Sequence, residues 1–244
     1  MLIKIKRFNP STSESKVEQF DIKNTNLLQA FNEIKHEQDN SLTYRCGCKS
    51  GVCGSCAVRV NGVERLACKT NINENDLVEP LKNRPIIKDL VFDVSHETFL
   101  IKETKSFIEE NSSATISQKD IKTIDRQSNC ILCNSCYSSC PVYDVNKSFQ
   151  GPFALSRALR YSKDKKMANN SLIITAVQTN GIWDCTLCGA CTMVCPQGID
   201  PKMDILQLQT LATQQGYSNP YMQSFDSNMG FDMSDMGFNP NGGF

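Results

Sequence analysis

Twelve of the thirteen cysteines in this 244-residue chain fall into three groups of four, and their spacing restricts the fold more than any other feature. Cys48, Cys53, Cys56 and Cys68 read C-x4-C-x2-C-x11-C. Cys130, Cys133, Cys136 and Cys140 read C-x2-C-x2-C-x3-C, with Pro141 next; Cys185, Cys188, Cys191 and Cys195 repeat that spacing, with Pro196 next. Secreted disulfide scaffolds are usually short chains. Cysteines separated by two intervening residues suit one shared centre better than separate bridges. The spacing therefore describes a polypeptide wrapped around inorganic centres in a reducing compartment.

Thiolates are the ligands that iron–sulfur clusters require, and four complete a [2Fe–2S] or a [4Fe–4S] centre. The x4, x2 spacing of Cys48, Cys53, Cys56 and Cys68 is the plant-type [2Fe–2S] signature, and the two later runs carry the bacterial cubane signature. Where two such runs occur together, the fourth cysteine of each ligates the other cluster. Cys130, Cys133, Cys136 and Cys195 are thus assigned to one [4Fe–4S], and Cys140, Cys185, Cys188 and Cys191 to a second. Pro141 and Pro196 end the loops by removing a backbone N–H and fixing φ. Gly47, Gly51 and Gly54 let the first loop curl and turn N–H groups toward sulfur. Arg45, Lys49 and Lys69 either offset cluster charge or are ordinary surface cations; the sequence does not separate the two. Zinc also takes four N or S donors, but x2, x2, x3-Pro is a cubane pattern. A Rieske centre needs two histidines; only His36 and His96 exist, neither is near a cysteine run, and both are expected at the surface. No G-x-G-x-x-G fingerprint is present, so no flavin or nicotinamide of its own is expected. Cys46 is read as a free thiol near the first site.

Lys plus Arg total 26 and Asp plus Glu total 26. That balance argues against nucleic-acid binding, which needs a basic surface. No apolar run approaches the roughly 18 residues of a membrane span. The N-terminus alternates like a strand and is no signal peptide, so membrane contact is expected through a partner. Residues 2–8 and 16–22 read as a hairpin. A helix is expected from about 26 to 37 on the stripe Leu27, Phe31 and Ile34, capped by Asn24 or Thr25. Strands Ala57–Val60 and Val63–Ala67 flank Asn61-Gly62, a strong hairpin signal, and a last strand falls near 77–79. The fold class is α+β. An N-terminal β-grasp [2Fe–2S] ferredoxin domain (1–100) precedes an all-α helical ferredoxin domain with two cubane clusters (101–215). Residues 86–99 form the crossover, 109–120 are polar and exposed, and helical signals run from about 126 to 215. The tail, 216–244, is rich in Asn, Gly, Met and Phe; Met229-Gly230-Phe231 recurs as Met236-Gly237-Phe238. It reads as disordered, or as a segment that docks on a partner.

The loop from Cys48 to Cys56, the stretch Leu66-Ala67-Cys68, Pro85-Ile86-Ile87-Lys88-Asp89-Leu90 and Cys195-Pro196-Gln197-Gly198-Ile199-Asp200-Pro201 resemble the iron–sulfur subunit of succinate dehydrogenase and fumarate reductase. The resemblance covers about residues 1–215. It implies electron transfer between an FAD-containing flavoprotein subunit, which interconverts succinate and fumarate, and a membrane quinone site. No catalytic residue for the carbon chemistry is expected on this chain. The usual subunit carries [2Fe–2S], [4Fe–4S] and [3Fe–4S], with a non-cysteine residue where this chain has Cys188. A second [4Fe–4S] is therefore expected, the alternative being [3Fe–4S] if Cys188 is not a ligand. The family's quinone-site tryptophan and histidine are replaced at Val145 and Thr186, and Trp183 is expected to pack beside a cluster instead. These departures resemble the E-type and methylmenaquinol:fumarate reductase branch, whose third subunit is cysteine-rich with CCG domains and not a haem-b membrane anchor. The implied location is the cytoplasmic face of the inner membrane, or the periplasm if the chain is exported with a partner. Competing readings are the iron–sulfur subunit of glycolate oxidase or anaerobic glycerol-3-phosphate dehydrogenase, a free multi-cluster ferredoxin, or a metal-stapled interaction protein.

Overall fold

The alternation Ile3-Lys4-Ile5-Lys6 becomes strand β1 (Leu2–Asn9), with Ile3 and Ile5 fully buried. It pairs antiparallel with β2 (Glu14–Asp21) along its whole length, from Leu2↔Asp21 to Asn9↔Glu14. Helix α1 (Leu27–Glu37) buries the expected stripe of Leu27, Phe31 and Ile34. Its cap is Asn26, whose side chain accepts from Gln29 N, and not Asn24 or Thr25. Asn24 is engaged elsewhere, donating to Glu33 at 2.6 Å. Strands β3 (Ala57–Val60) and β4 (Val63–Leu66) form the Asn61-Gly62 hairpin, both turn residues having positive φ. Strand β5 (Leu77–Glu79) inserts between β1 and β3, parallel to β1 and antiparallel to β3. The sheet is therefore mixed, in the order β2-β1-β5-β3-β4.

The computed structural model describes residues 1–222. The crossover adds a ribbon, β6 (Ile86–Lys88) with β7 (Val91–Phe92). Arg7 ties this ribbon to β1: its guanidinium donates to both Asp89 oxygens at 3.0 and 3.1 Å, and to Glu18 at 2.9 Å. Such a buried cation is stable only while paired.

The helical half contains α2 (His96–Glu103), α3 (Gln118–Ser128), α4 (Ser135–Ser138), α5 (Pro141–Val145), α6 (Pro152–Ser162), α7 (Ser171–Ala176), α8 (Ala190–Met193) and α9 (Pro201–Gln214). Proline opens α5, α6 and α9, where the missing N–H costs nothing. Helix α3 starts eight residues before the first expected helical signal, at a capping box formed by Ser117 and Asp120. Helix α6 is the centre of this half, burying Phe153, Leu155, Ala158 and Leu159 against α9. Short helices like these depend on such packing.

One hydrophobic core runs from Ile3 to Phe92 and a second from Leu100 to Ala212. His96 lies where the halves meet and is not the surface residue expected. Its ring packs edge-on to Tyr137 at 5.4 Å and lies 6.0 Å from Phe153. Burial, with Arg84 nearby, lowers its pKa to about 4. His36 is exposed, as expected. Most of the tail, with both Met-Gly-Phe repeats, lies outside the described residues.

Candidate iron–sulfur sites

The first quartet is built by a loop and a turn. Cys48, Cys53 and Cys56 come from the loop before β3, and Cys68 from the turn after β4. Positive φ at Lys49, Gly51 and Gly54 curls the loop inward. Ser50 N and Val52 N both donate to Cys48 Sγ at 3.4 Å, and Cys48 N donates to Cys53 Sγ at 3.4 Å. Hydrogen bonds led by Ser50 lower the Cys48 pKa to about 5. Cys56 is the opposite case: burial raises its pKa to about 11, with Cys68 and Cys53 as neighbours. The loop thus has an exposed, hydrogen-bonded side at Cys48 and a buried side at Cys56 and Cys68. Of the three nearby cations, Lys69 folds its alkyl chain over Gly51, where an added Cβ would lie 2.8 Å from Cε. Arg45 stacks over Phe92 at 5.5 Å, and Lys49 is exposed.

The two later runs repeat in backbone as well as in spacing. Leu132 and Asn134 in the first have φ of 52 and 65; Leu187 and Gly189 hold the matching places in the second, with φ of 55 and 80. The curl aims Leu187 N at Cys185 Sγ, 3.4 Å away, and the matching Leu132 N–H favours the Cys130 thiolate. Cys130, Cys133, Cys136 and Cys195 line one cavity with Leu132, Phe153 and Pro196. Burial raises the Cys130 pKa to about 11, with further pushes from Cys133 and Cys195. Cys136 is held well above the usual thiol range, by burial and then by its neighbours Cys133 and Cys130. Cys140 stands with the other run. Burial raises the Cys191 pKa to about 12, with added repulsion from Cys185, Cys140 and Cys188. The fourth cysteine of each run therefore sits beside the other run's three. Cys140 Sγ also accepts from Tyr143 N at 3.4 Å.

Among the described residues no three Cys, His, Asp or Glu side chains close on one point as a single small ion requires. The second quartet instead rings a cavity, and backbone N–H groups face sulfur in all three. A polynuclear centre, whose separate irons take separate thiolates, suits such donors. Cys188 is exposed, as is Cys46. Val145 is 87% exposed and Thr186 is exposed. Trp183 packs on the helical core, its Nε1 donating to Gln178 at 2.8 Å.

Contacts without a sequence signal join the sites. Gly54, in the first loop, abuts the second quartet: a Cβ there would lie 2.8 Å from Cys133 Cβ and 2.8 Å from Ile131 O. Gln197, just past Cys195, donates to Gly51 O at 3.0 Å.

Residues 2–98 match the family described as 2Fe-2S iron-sulfur cluster binding domain, and residues 126–199 match the 4Fe-4S dicluster domain. The fumarate reductase iron-sulfur subunit of Haemophilus influenzae is 32% identical over 232 residues, covering 85% of this chain and 91% of its own. The 8-methylmenaquinol:fumarate reductase iron-sulfur subunit of Wolinella succinogenes is 32% identical over 212 residues, covering 80% of this chain and 66% of its own. A chain of the Mycobacterium smegmatis Sdh1 complex in the apo form shares the fold, with a TM-score of 0.77 over 89% of this chain and 97% of that one, at 23% identity. Identity at this level, over 85% of this chain and 91% of a fumarate reductase subunit, means that the chain belongs to the family of iron–sulfur subunits of succinate dehydrogenases and fumarate reductases.

Proposed function

We propose that this chain carries electrons through three clusters, one on each cysteine quartet. Cys48, Cys53, Cys56 and Cys68 hold a [2Fe–2S]; Cys130, Cys133, Cys136 and Cys195 hold a [4Fe–4S]; Cys140, Cys185, Cys188 and Cys191 hold a second [4Fe–4S]. The observation that carries this reading is the meeting of thiols from separate runs, Cys195 with Cys130 and Cys133, and Cys140 with Cys185 and Cys191. When bound, the clusters supply one-electron transfer. The protein shields the sulfurs from water in part, leaving Cys48 and Cys188 exposed, aims N–H groups at them, and fixes their order across the two domains, 1–100 and 101–215. Burial and hydrogen bonds to sulfur are the means by which it tunes potential.

The flavin-bearing partner covers the [2Fe–2S] side, and electrons leave from the distal quartet. Val145 offers no hydrogen bond to a quinone, which favours exit through a third, cysteine-rich subunit over a quinone site on this chain. The relative from Wolinella succinogenes, whose name gives 8-methylmenaquinol as its quinol, is in keeping with that branch. No helix among the described residues is long and apolar enough to cross a membrane. Partners therefore hold the chain at the membrane, on the cytoplasmic face or, with an exported partner, the periplasmic one.

A second reading concerns the distal site alone. The exposure of Cys188 favours loss of the iron it would bind, leaving [3Fe–4S]. The test is iron and acid-labile sulfide analysis with EPR on the native complex, purified anaerobically with its subunits identified. Ten irons and EPR signals from three centres support the proposal, on the count of [2Fe–2S] plus two [4Fe–4S]. A stoichiometric [3Fe–4S] signal after mild oxidation under nitrogen selects the second reading, and colourless protein without labile sulfide refutes both.

A further inference from the structure

The quartets do not account for a buried polar chain that ties the sheet to the segment between Cys136 and Cys140. Glu64, in β4, is 5% exposed. Its Oε1 accepts from Ser138 Oγ at 2.6 Å, and Arg59, its cross-strand partner, brings Nε within 3.5 Å of the same oxygen. Ser138, 4% exposed, accepts in turn from Lys82 N at 2.9 Å. Beside it, Asn83 Nδ2 donates to the carbonyls of Tyr137 at 3.0 Å and Ser138 at 3.4 Å. A strand and the loop after β5 thus converge on two residues.

Those two residues occupy a particular place. Cys136, on one side, stands with the second quartet; Cys140, on the other, stands with the third. A carboxylate is costly to bury unless paired and hydrogen-bonded. An apolar contact would join the domains equally well, but without direction. The bond from Ser138 to Glu64 has direction, because the hydroxyl donates to the carboxylate while Lys82 N donates to one of the hydroxyl's lone pairs.

We propose that Glu64, through Ser138, is a positioning residue that sets the separation between the first-quartet cluster and the clusters of the helical domain. The proposal rests on the cluster assignment above. Loss of the bond lets the segment between Cys136 and Cys140 move relative to the sheet and weakens magnetic and electronic coupling between the first two centres.

The test compares the full-length, anaerobically purified complex with Glu64→Leu, Glu64→Gln and Asn83→Gly variants. Glutamine keeps an acceptor oxygen for Ser138. Glycine removes the Asn83 clamp at a φ of +67, where it adds no strain. Iron and sulfide are measured first, so that loss of clusters is distinguished from loss of coupling. The readout is microwave power saturation of the [2Fe–2S] signal with its neighbour reduced. Glu64→Leu should lower the half-saturation power severalfold, Asn83→Gly should lower it by less, and Glu64→Gln should restore wild-type behaviour. Wild-type saturation in cluster-loaded Glu64→Leu and Asn83→Gly overturns the proposal. If Glu64→Leu does not load its clusters, Asn83→Gly alone decides.

Discussion

Gly54→Ala tests the contact between the first two sites, and a matched control isolates it. Gly54 has a φ of +72 and Gly198 a φ of +66, so alanine pays a similar backbone penalty at each, about 1–2 kcal/mol. The surroundings differ. A Cβ on Gly198 meets nothing within 4 Å, whereas one on Gly54 meets Cys133 Cβ and Ile131 O at 2.8 Å and Cys133 Cα at 3.0 Å. Two of those three atoms are backbone and cannot swing aside. Overpacking of this kind costs about 1–3 kcal/mol, and only Gly54→Ala bears it. In a chain of this size each kcal/mol shifts Tm by about 2–4 °C. Gly54→Ala should therefore melt about 2–12 °C below Gly198→Ala, when both are followed by scanning calorimetry on cluster-loaded protein. A Tm gap under about 1 °C would show that the first loop does not press on Cys133, and the close approach of the two sites would fall with it.

Cys195→Ser should disturb the centre held by Cys130, Cys133 and Cys136 and spare the other, while Cys140→Ser should do the reverse. Mössbauer spectra in which each substitution disturbs its own run's centre would refute the exchange of fourth thiols. Cys188→Ser should change the distal spectrum and slow quinone-linked turnover without preventing assembly; an unchanged spectrum removes Cys188 from the ligand set. His96 has a folded pKa of about 4 against an ordinary 6.5, so between those values the unfolded chain binds the extra proton and stability rises with pH. Its stabilising contribution is complete above about 6.5 and is lost as pH falls toward 4. His96→Phe should accordingly flatten the fall in Tm between pH 7 and about 5.5, and a slope equal to wild type would place the titration elsewhere.

What the sequence disclosed, and what it hid, follows from the range of each interaction. Strand alternation at Ile3 and Ile5 and the stripe of Leu27, Phe31 and Ile34 are local patterns, and they were legible. So was the spacing of the cysteine runs, on which the proposed cluster sites rest. The cap of α1 was misplaced among three adjacent polar residues. Asn26 was selected by tertiary contacts: its Nδ2 donates to Cys68 O, and Leu27 N donates to Thr70 O. His96 was misread because its burial comes from Tyr137 and Phe153, far away in sequence. Helices α4 and α8, of four residues each, are too short to show a period. The start of α3 had a readable sign, Ser117 three residues before Asp120, which a search for capping boxes would have found. The contacts of Gly54, Gln197 and Ser138 cross from one domain to the other, and no local pattern encodes them.

The proposed trading of fourth thiols between the two later runs bears on how the chain is made. On the proposed assignment, the first quartet is complete once residue 68 has been synthesised. The set of Cys140, Cys185, Cys188 and Cys191 lacks its last donor until residue 191, and the set of Cys130, Cys133, Cys136 and Cys195 until residue 195. A truncated product ending between the runs would present unfinished sets of thiols to any iron donor. On the proposed assignment, the helical half therefore completes its donor sets well after the first loop does.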